Sequence, residues 1–260
     1  MKRMSGPMIG VQMGINGYGM FGNMPVTDLD RVLAIAAGQS VDGIEVMSNL
    51  LAEPRSLRRQ CADYGLEIAA VHLFLNELDD SVLRVIEELQ AARIILSAVA
   101  PSARTTWDEV AVTVQDWSQK IAAAGARLLV HNHAEECRPA DGYDTGLELL
   151  ASRIDGSALG FVVDVFWATR AGIDIGNLLT RLINRCDYMH IKDGKTTADP
   201  EDTYSYGLCE GDVDLAGALR RQDQLMWVMI ERDLPPDSSE VALRHDVDVL
   251  RRLLTTDNPG

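Results

Sequence analysis

The chain has 260 residues, with 24 Lys and Arg against 39 Asp and Glu and a net charge of −15. That sign opposes a groove that neutralises nucleic-acid phosphates or a surface that docks on an anionic bilayer, so nucleic acid and membrane are not expected as partners. With 47% apolar and 24% charged residues it can bury a large core and is not a disordered chain, and its length suits one domain, 1–260, because a (β/α)8 barrel takes about 250 residues.

The first residues, Met1-Lys2-Arg3-Met4-Ser5-Gly6-Pro7, are followed by no continuous apolar stretch before Gly14 and Asn16, so neither a secretory signal nor an anchor is expected. Short runs rich in Val, Ile and Leu then recur at 8–13, 43–47, 66–72, 93–98, 127–131, 160–164, 188–191 and 226–231, each followed by a polar stretch and a segment of helical periodicity. The turn after the first run reads Gly14-Ile15-Asn16-Gly17-Tyr18-Gly19, which lacks the G-x-G-x-x-G order of a dinucleotide site. A helix is expected over 28–37, opened by Thr27 with Asp30 as a capping box, and another over 80–89 with Val82, Val85, Ile86 and Leu89 on one face. Gly65 and Gly125 stand where a helix would end and swing into the next strand. The four cysteines, Cys61, Cys137, Cys186 and Cys209, lie far apart with no C-x-x-C, which suits free thiols in a reducing cytoplasm. Eight alternating βα units without a linker predict a single (β/α)8 TIM barrel, with a doubly wound open sheet as the alternative.

In such a barrel the chemistry sits at the C-terminal ends of the strands. Titratable residues collect there: Glu45, His72, His131 and His133 around Asn132, Asp164, His190 with Lys192 and Asp193, and Glu231. Any one of them alone is better read as a buried structural group, but four of the five histidines fall on this rim. Asp164, His190 and Glu231 come from three successive strands, and a mixed nitrogen and oxygen set suits Mn²⁺, Co²⁺, Mg²⁺ or Zn²⁺. Strand five should add a ligand from His131, His133, Glu135 and Glu136, and spacing alone does not choose among them. Period-two alternation puts His131 and His133 on one side of the strand. His133, Glu136 and Glu231 are candidates for proton transfer. Glu45, His72, Trp167 and Lys192 are candidates for holding substrate, with Trp167 and Phe74 as walls for a sugar ring and Lys192 as partner of an oxyanion or of a neighbouring acid. The segment 207–214, with two glycines and three acids, is read as a loop that positions the rim, with Asp214 as a helix N-cap.

These residues carry a likeness. Ile9-Gly10-Val11-Gln12, Gly43-Ile44-Glu45, His131-Asn132-His133-Ala134-Glu135-Glu136, Asp164-Val165-Phe166-Trp167, Ala171-Gly172-Ile173-Asp174, His190-Ile191-Lys192-Asp193, Gly211-Asp212-Val213-Asp214 and Glu231 resemble the xylose-isomerase-like TIM-barrel superfamily, the sugar phosphate isomerase/epimerase group, over nearly the whole chain. The resemblance implies a divalent metal held by Asp164, His190 and Glu231, and a small sugar substrate. One departure is visible: members that work by proton transfer usually carry a metal-binding glutamate on strand five, where this chain has His131 near that position. A metal-dependent isomerase or epimerase is therefore the leading expectation. A lyase or hydratase with a histidine base is the second, and a non-catalytic sugar-binding barrel the third. A homo-oligomer is left open as a partner state.

Overall fold

The computed structural model describes residues 6–13, 29–182, 184–196, 206–220, 225–232 and 239–256. Each of the eight apolar runs forms a strand: β1 Met8–Met13, β2 Gly43–Met47, β3 Glu67–Phe74, β4 Arg93–Ser97, β5 Arg127–His131, β6 Leu159–Asp164, β7 Tyr188–Ile191 and β8 Trp227–Ile230. Every strand pairs in parallel with the next, and β8 returns to β1, so the sheet closes into a TIM barrel. The helices between the strands are α1 Leu29–Gly38, α2 Pro54–Asp63, α3 Ser81–Leu89, α4 Trp107–Ala123, α5 Gly146–Arg153, α6 Val165–Arg170, α7 Ile175–Arg181, α8 Leu215–Leu219 and α9 Ser239–Thr256.

Local chemistry explains most of these boundaries. Helix α3 buries Val82, Val85, Ile86 and Leu89 on its inner face. Gly65 and Gly125 take φ of +70° and +88°, and around each the chain bonds back onto the helix it leaves, Leu66 N to Cys61 O and Ala126 N to Ile121 O. Only a residue without a Cβ turns that corner cheaply. Asp214 caps α8, its carboxylate accepting from Gly217 N. The cap Thr27 and the turn 14–19 lie outside the described residues. No disulfide joins Cys61, Cys137, Cys186 or Cys209. Among the described residues no helix is long and apolar enough to cross a membrane.

The barrel interior has two tiers. The lower one is apolar: Ala70, Ile95, Leu129, Val162, Tyr188, Trp227 and Met229 form one buried cluster. Gly10 and Gly43 make room for it, since a Cβ on Gly43 would lie 2.8 Å from the Trp227 ring and one on Gly10 would lie 2.6 Å from Met229 Cε. Side chains alternate along a strand, so two residues farther on the chain points inward again. There the tier is polar on every strand: Gln12, Glu45, His72, Ser97, His131, Asp164, His190 and, just past β8, Glu231, all buried.

Candidate metal centre

The polar tier brings His131, Asp164, His190 and Glu231 together, with one donor atom from each lying within 4.8 Å of all the others. Strand β6 ends at Asp164, whose Oδ1 accepts from Trp167 N at 2.9 Å and so caps α6. The same bond fixes the carboxylate and leaves Oδ2 directed elsewhere. A backbone clamp holds the β5 and β6 ends side by side: Asn132 Oδ1 accepts from Asp164 N at 3.0 Å, and Asn132 Nδ2 donates to Asp164 O at 3.2 Å. His131 thus points inward from β5 with Nε2 3.6 Å from Asp164 Oδ2 and 3.9 Å from Glu231 Oε2. His190 Nδ1 lies 2.7 Å from Glu231 Oε2, and Lys192 Nζ donates to Glu231 Oε1 at 2.9 Å.

Two buried atoms of this cluster, His131 Nε2 and Asp164 Oδ2, have no hydrogen-bond partner. Such an atom costs about 1–3 kcal/mol, and more for a charged group, so finding two of them side by side is a test of what belongs there. An ionised Asp164 Oδ2 only accepts, and His131 Nε2 accepts when the ring carries its proton on Nδ1, the atom that faces Ser97 Oγ. Two facing lone pairs call for a cation. Two imidazoles and two carboxylates fit a divalent metal. The other titratable trio, Glu45, His72 and His190, is as closely spaced, but its atoms bond to one another and leave no donor over.

Electrostatics agree. Burial, reinforced by the charge of Glu231, pushes Asp164 up to about 7. For Glu231 burial acts in the same direction, but the Lys192 ammonium and His190 overcome it and hold the carboxyl well below its ordinary range. Burial, aided by the charge of His190, keeps His131 well below the ordinary histidine value, so its ring is neutral and its lone pair is available. Burial would lower His190 as well, but Glu45 and Glu231 raise it to about 10. A metal taken up by this cluster would have to displace protons from Asp164 and His190. Release of about two protons per metal bound is therefore expected at pH 6, falling towards about one at pH 8 as Asp164 is already ionised. Titration calorimetry in buffers of different ionisation enthalpy reads that number, and an unchanging count from pH 6 to 8 would contradict this account of Asp164.

Around the cluster, His133 is half-buried with its ring edge-on to Trp167 at 5.3 Å, and burial lowers its pKa, so it is a free base near neutrality. Lys192 Nζ lies 5.2 Å from the Trp167 ring centre, which places its cation over an aromatic face. Phe74 ends β3 with its ring 6.4 Å from that of His72. Glu136 is buried, and both its oxygens accept from backbone amides, Ala100 N at 2.9 Å and His133 N at 2.8 Å, so it braces the loop that carries His133. Glu135 is exposed and pairs with Arg138. Glu45 and His72 are buried in the same tier beside the cluster and bond to each other. Asp193 accepts from Gly194 N, Gly211 N and Val213 N and thereby ties the 207–214 loop to the rim. The sequence reading gave no role to Gln12 or Ser97. Both occupy the inward position of their strand, and the same two-residue step that links Leu129 to His131 would have found them.

No family model matches the chain, and no curated protein matches it. Solved structures do. A sugar phosphate isomerase/epimerase from Parabacteroides distasonis superposes with a TM-score of 0.76 at 17% identity, covering 96% of this chain and 100% of its own. D-allulose 3-epimerase from Methylomonas sp. gives 0.70 at 16% identity, covering 98% and 100%. The probable 3-DHS dehydratase of petrobactin synthesis from Bacillus anthracis gives 0.72 at 13% identity, covering 94% and 98%. The chain has the fold of the xylose isomerase-like TIM-barrel sugar phosphate isomerases and epimerases.

Proposed function

We propose that the chain is a divalent-metal-dependent isomerase or epimerase of a small sugar or keto-sugar. The observation that carries this reading is the pair of buried, unpartnered acceptors, His131 Nε2 and Asp164 Oδ2, inside a cluster completed by His190 and Glu231. Those four residues are the proposed ligands. When bound, the cation supplies electrophilic assistance to a carbonyl and its neighbouring hydroxyl, lowering the barrier to an enediolate.

The chain's own residues do the rest. His133 Nδ1 or Nε2 removes the proton between carbonyl and hydroxyl and returns it to carbon, which it can do near neutrality because burial keeps it unprotonated. Lys192 holds Glu231 ionised and in place. Trp167 and Phe74 offer flat faces against one side of a sugar ring. The apolar floor of the barrel keeps water from reaching the site from below.

A second reading has its own support: one structural neighbour is a dehydratase, and a histidine base on β5 also serves an elimination next to a ketone. Incubation with candidate ketoses in heavy water separates the two. The isomerase reading expects deuterium on carbon in a product of the substrate's mass class. An enone lacking the elements of water or an alcohol would establish the lyase, and no exchange with any keto-sugar in metal-loaded protein would remove both.

A further inference from the structure

Beside the proposed ligands, in the same polar tier, stand groups that no step of the reaction touches, and their hydrogen bonds converge on one carboxylate. Glu45 is fully buried. Its Oε1 lies 2.6 Å from His72 Nδ1 and 3.0 Å from Gln12 Nε2, and its Oε2 lies 2.8 Å from Tyr188 Oη and 2.8 Å from His190 Nε2. An ionised carboxylate only accepts, so all of these groups donate to it. Two chains of protons follow from that.

On one branch His190 gives its Nε2–H to Glu45, so Nδ1 is the ring atom turned to the donor cluster, beside Glu231 Oε2. On the other, His72 gives its Nδ1–H to Glu45. A ring with its single proton on Nδ1 offers only an acceptor at Nε2, and Ser97 Oγ is its partner there. The serine's single proton is committed to His72, so Ser97 Oγ can only accept from His131 Nδ1, 3.4 Å away. His131 must therefore carry its proton on Nδ1 and present a bare lone pair at Nε2, the atom that has no partner in the protein.

We propose that Glu45 is a positioning residue that sets the protonation pattern of both imidazole ligands, His190 directly and His131 through His72 and Ser97. This rests on the metal reading above for its purpose but not for its geometry. It also has a consequence independent of rotamer choice. In Glu45→Gln one of the two oxygens becomes an amide donor. If that NH2 faces His72, the ring must accept at Nδ1, the chain to Ser97 reverses, and His131 gains a proton at Nε2. If it faces His190, that ring must accept at Nε2 and keep its proton on Nδ1. Either way the metal-facing nitrogen of one ligand is committed to an N–H.

Two measurements on the full chain decide the matter. Imidazole ¹⁵N correlation spectra of the metal-free protein should show His72 and His131 protonated on Nδ1. A proton on His131 Nε2 would overturn the proposal whether or not the protein takes up metal. Calorimetric titration with Co²⁺ or Zn²⁺ should then show affinity about 10–100-fold lower in Glu45→Gln, the usual loss when a ligand's supporting hydrogen bond is removed, with a changed Co²⁺ visible spectrum and partial recovery in Glu45→Asp. Circular dichroism confirms that each variant is folded. Parent-like affinity and spectrum in folded Glu45→Gln would also overturn it. If the unsubstituted protein binds neither ion, the metal reading fails while the tautomer result still judges this one.

Discussion

Asp164→Asn and His190→Ala are expected to lose most of the protein's divalent-metal binding, by more than the ~10–100-fold typical of losing a supporting hydrogen bond, because each removes a donor itself. Asp164→Asn is the cleaner of the two. Its remaining oxygen can still accept from Trp167 N and keep the cap of α6, worth about 1 kcal/mol. What disappears is a buried carboxylate oxygen without a partner. The metal-free variant is therefore expected to melt no lower than the metal-free parent, while the stabilisation that added metal gives the parent is absent. Elemental analysis after chelation and reloading, with thermal melts in both states, checks this. Parent metal content in both variants would end the assignment of these four residues as ligands.

His133→Ala is expected to lower kcat by about 10²–10⁴-fold with metal content and melting temperature unchanged, the range for loss of a general base. The half-buried ring meets Trp167 and His131 edge-on. Glu136, the other candidate, should behave differently. Its removal strands two backbone amides, Ala100 N and His133 N, at about 1–3 kcal/mol each, so Glu136→Ala should lose stability as well as activity. Glu136→Gln, which keeps one acceptor, should recover much of both. Full activity in His133→Ala beside an inactive but stable Glu136→Gln would transfer the base role to the carboxylate.

The barrel was legible because its strands are buried on both faces and so read as uninterrupted apolar runs. Strand ends were less so. The run at 66–72 extends to Phe74 because Leu73 and Phe74 pair with Leu96 and Ser97, and nothing in the apolar Leu73-Phe74-Leu75 marks a stop. The ligand candidates stood out because a charge set inside an apolar run is costly to bury and is kept only where something pairs with it. Gln12 and Ser97 carry no charge and gave no such signal, although the network needs them as much as it needs His72. Glu136 shows the opposite limit: its side chain looks like a base in sequence, and its amide partners, from the ends of two neighbouring strands, become visible only when the barrel closes. That Glu45 and His72 bond to each other and to Gln12, Ser97, Tyr188 and His190 follows from the closure of the barrel, which one-dimensional spacing does not encode.

The close fit of Gly10 and Gly43 against Met229 and Trp227 fills the barrel beneath the polar tier. On the proposed function, substrate, product and any exchanged proton would therefore all come and go on the side of the strand ends.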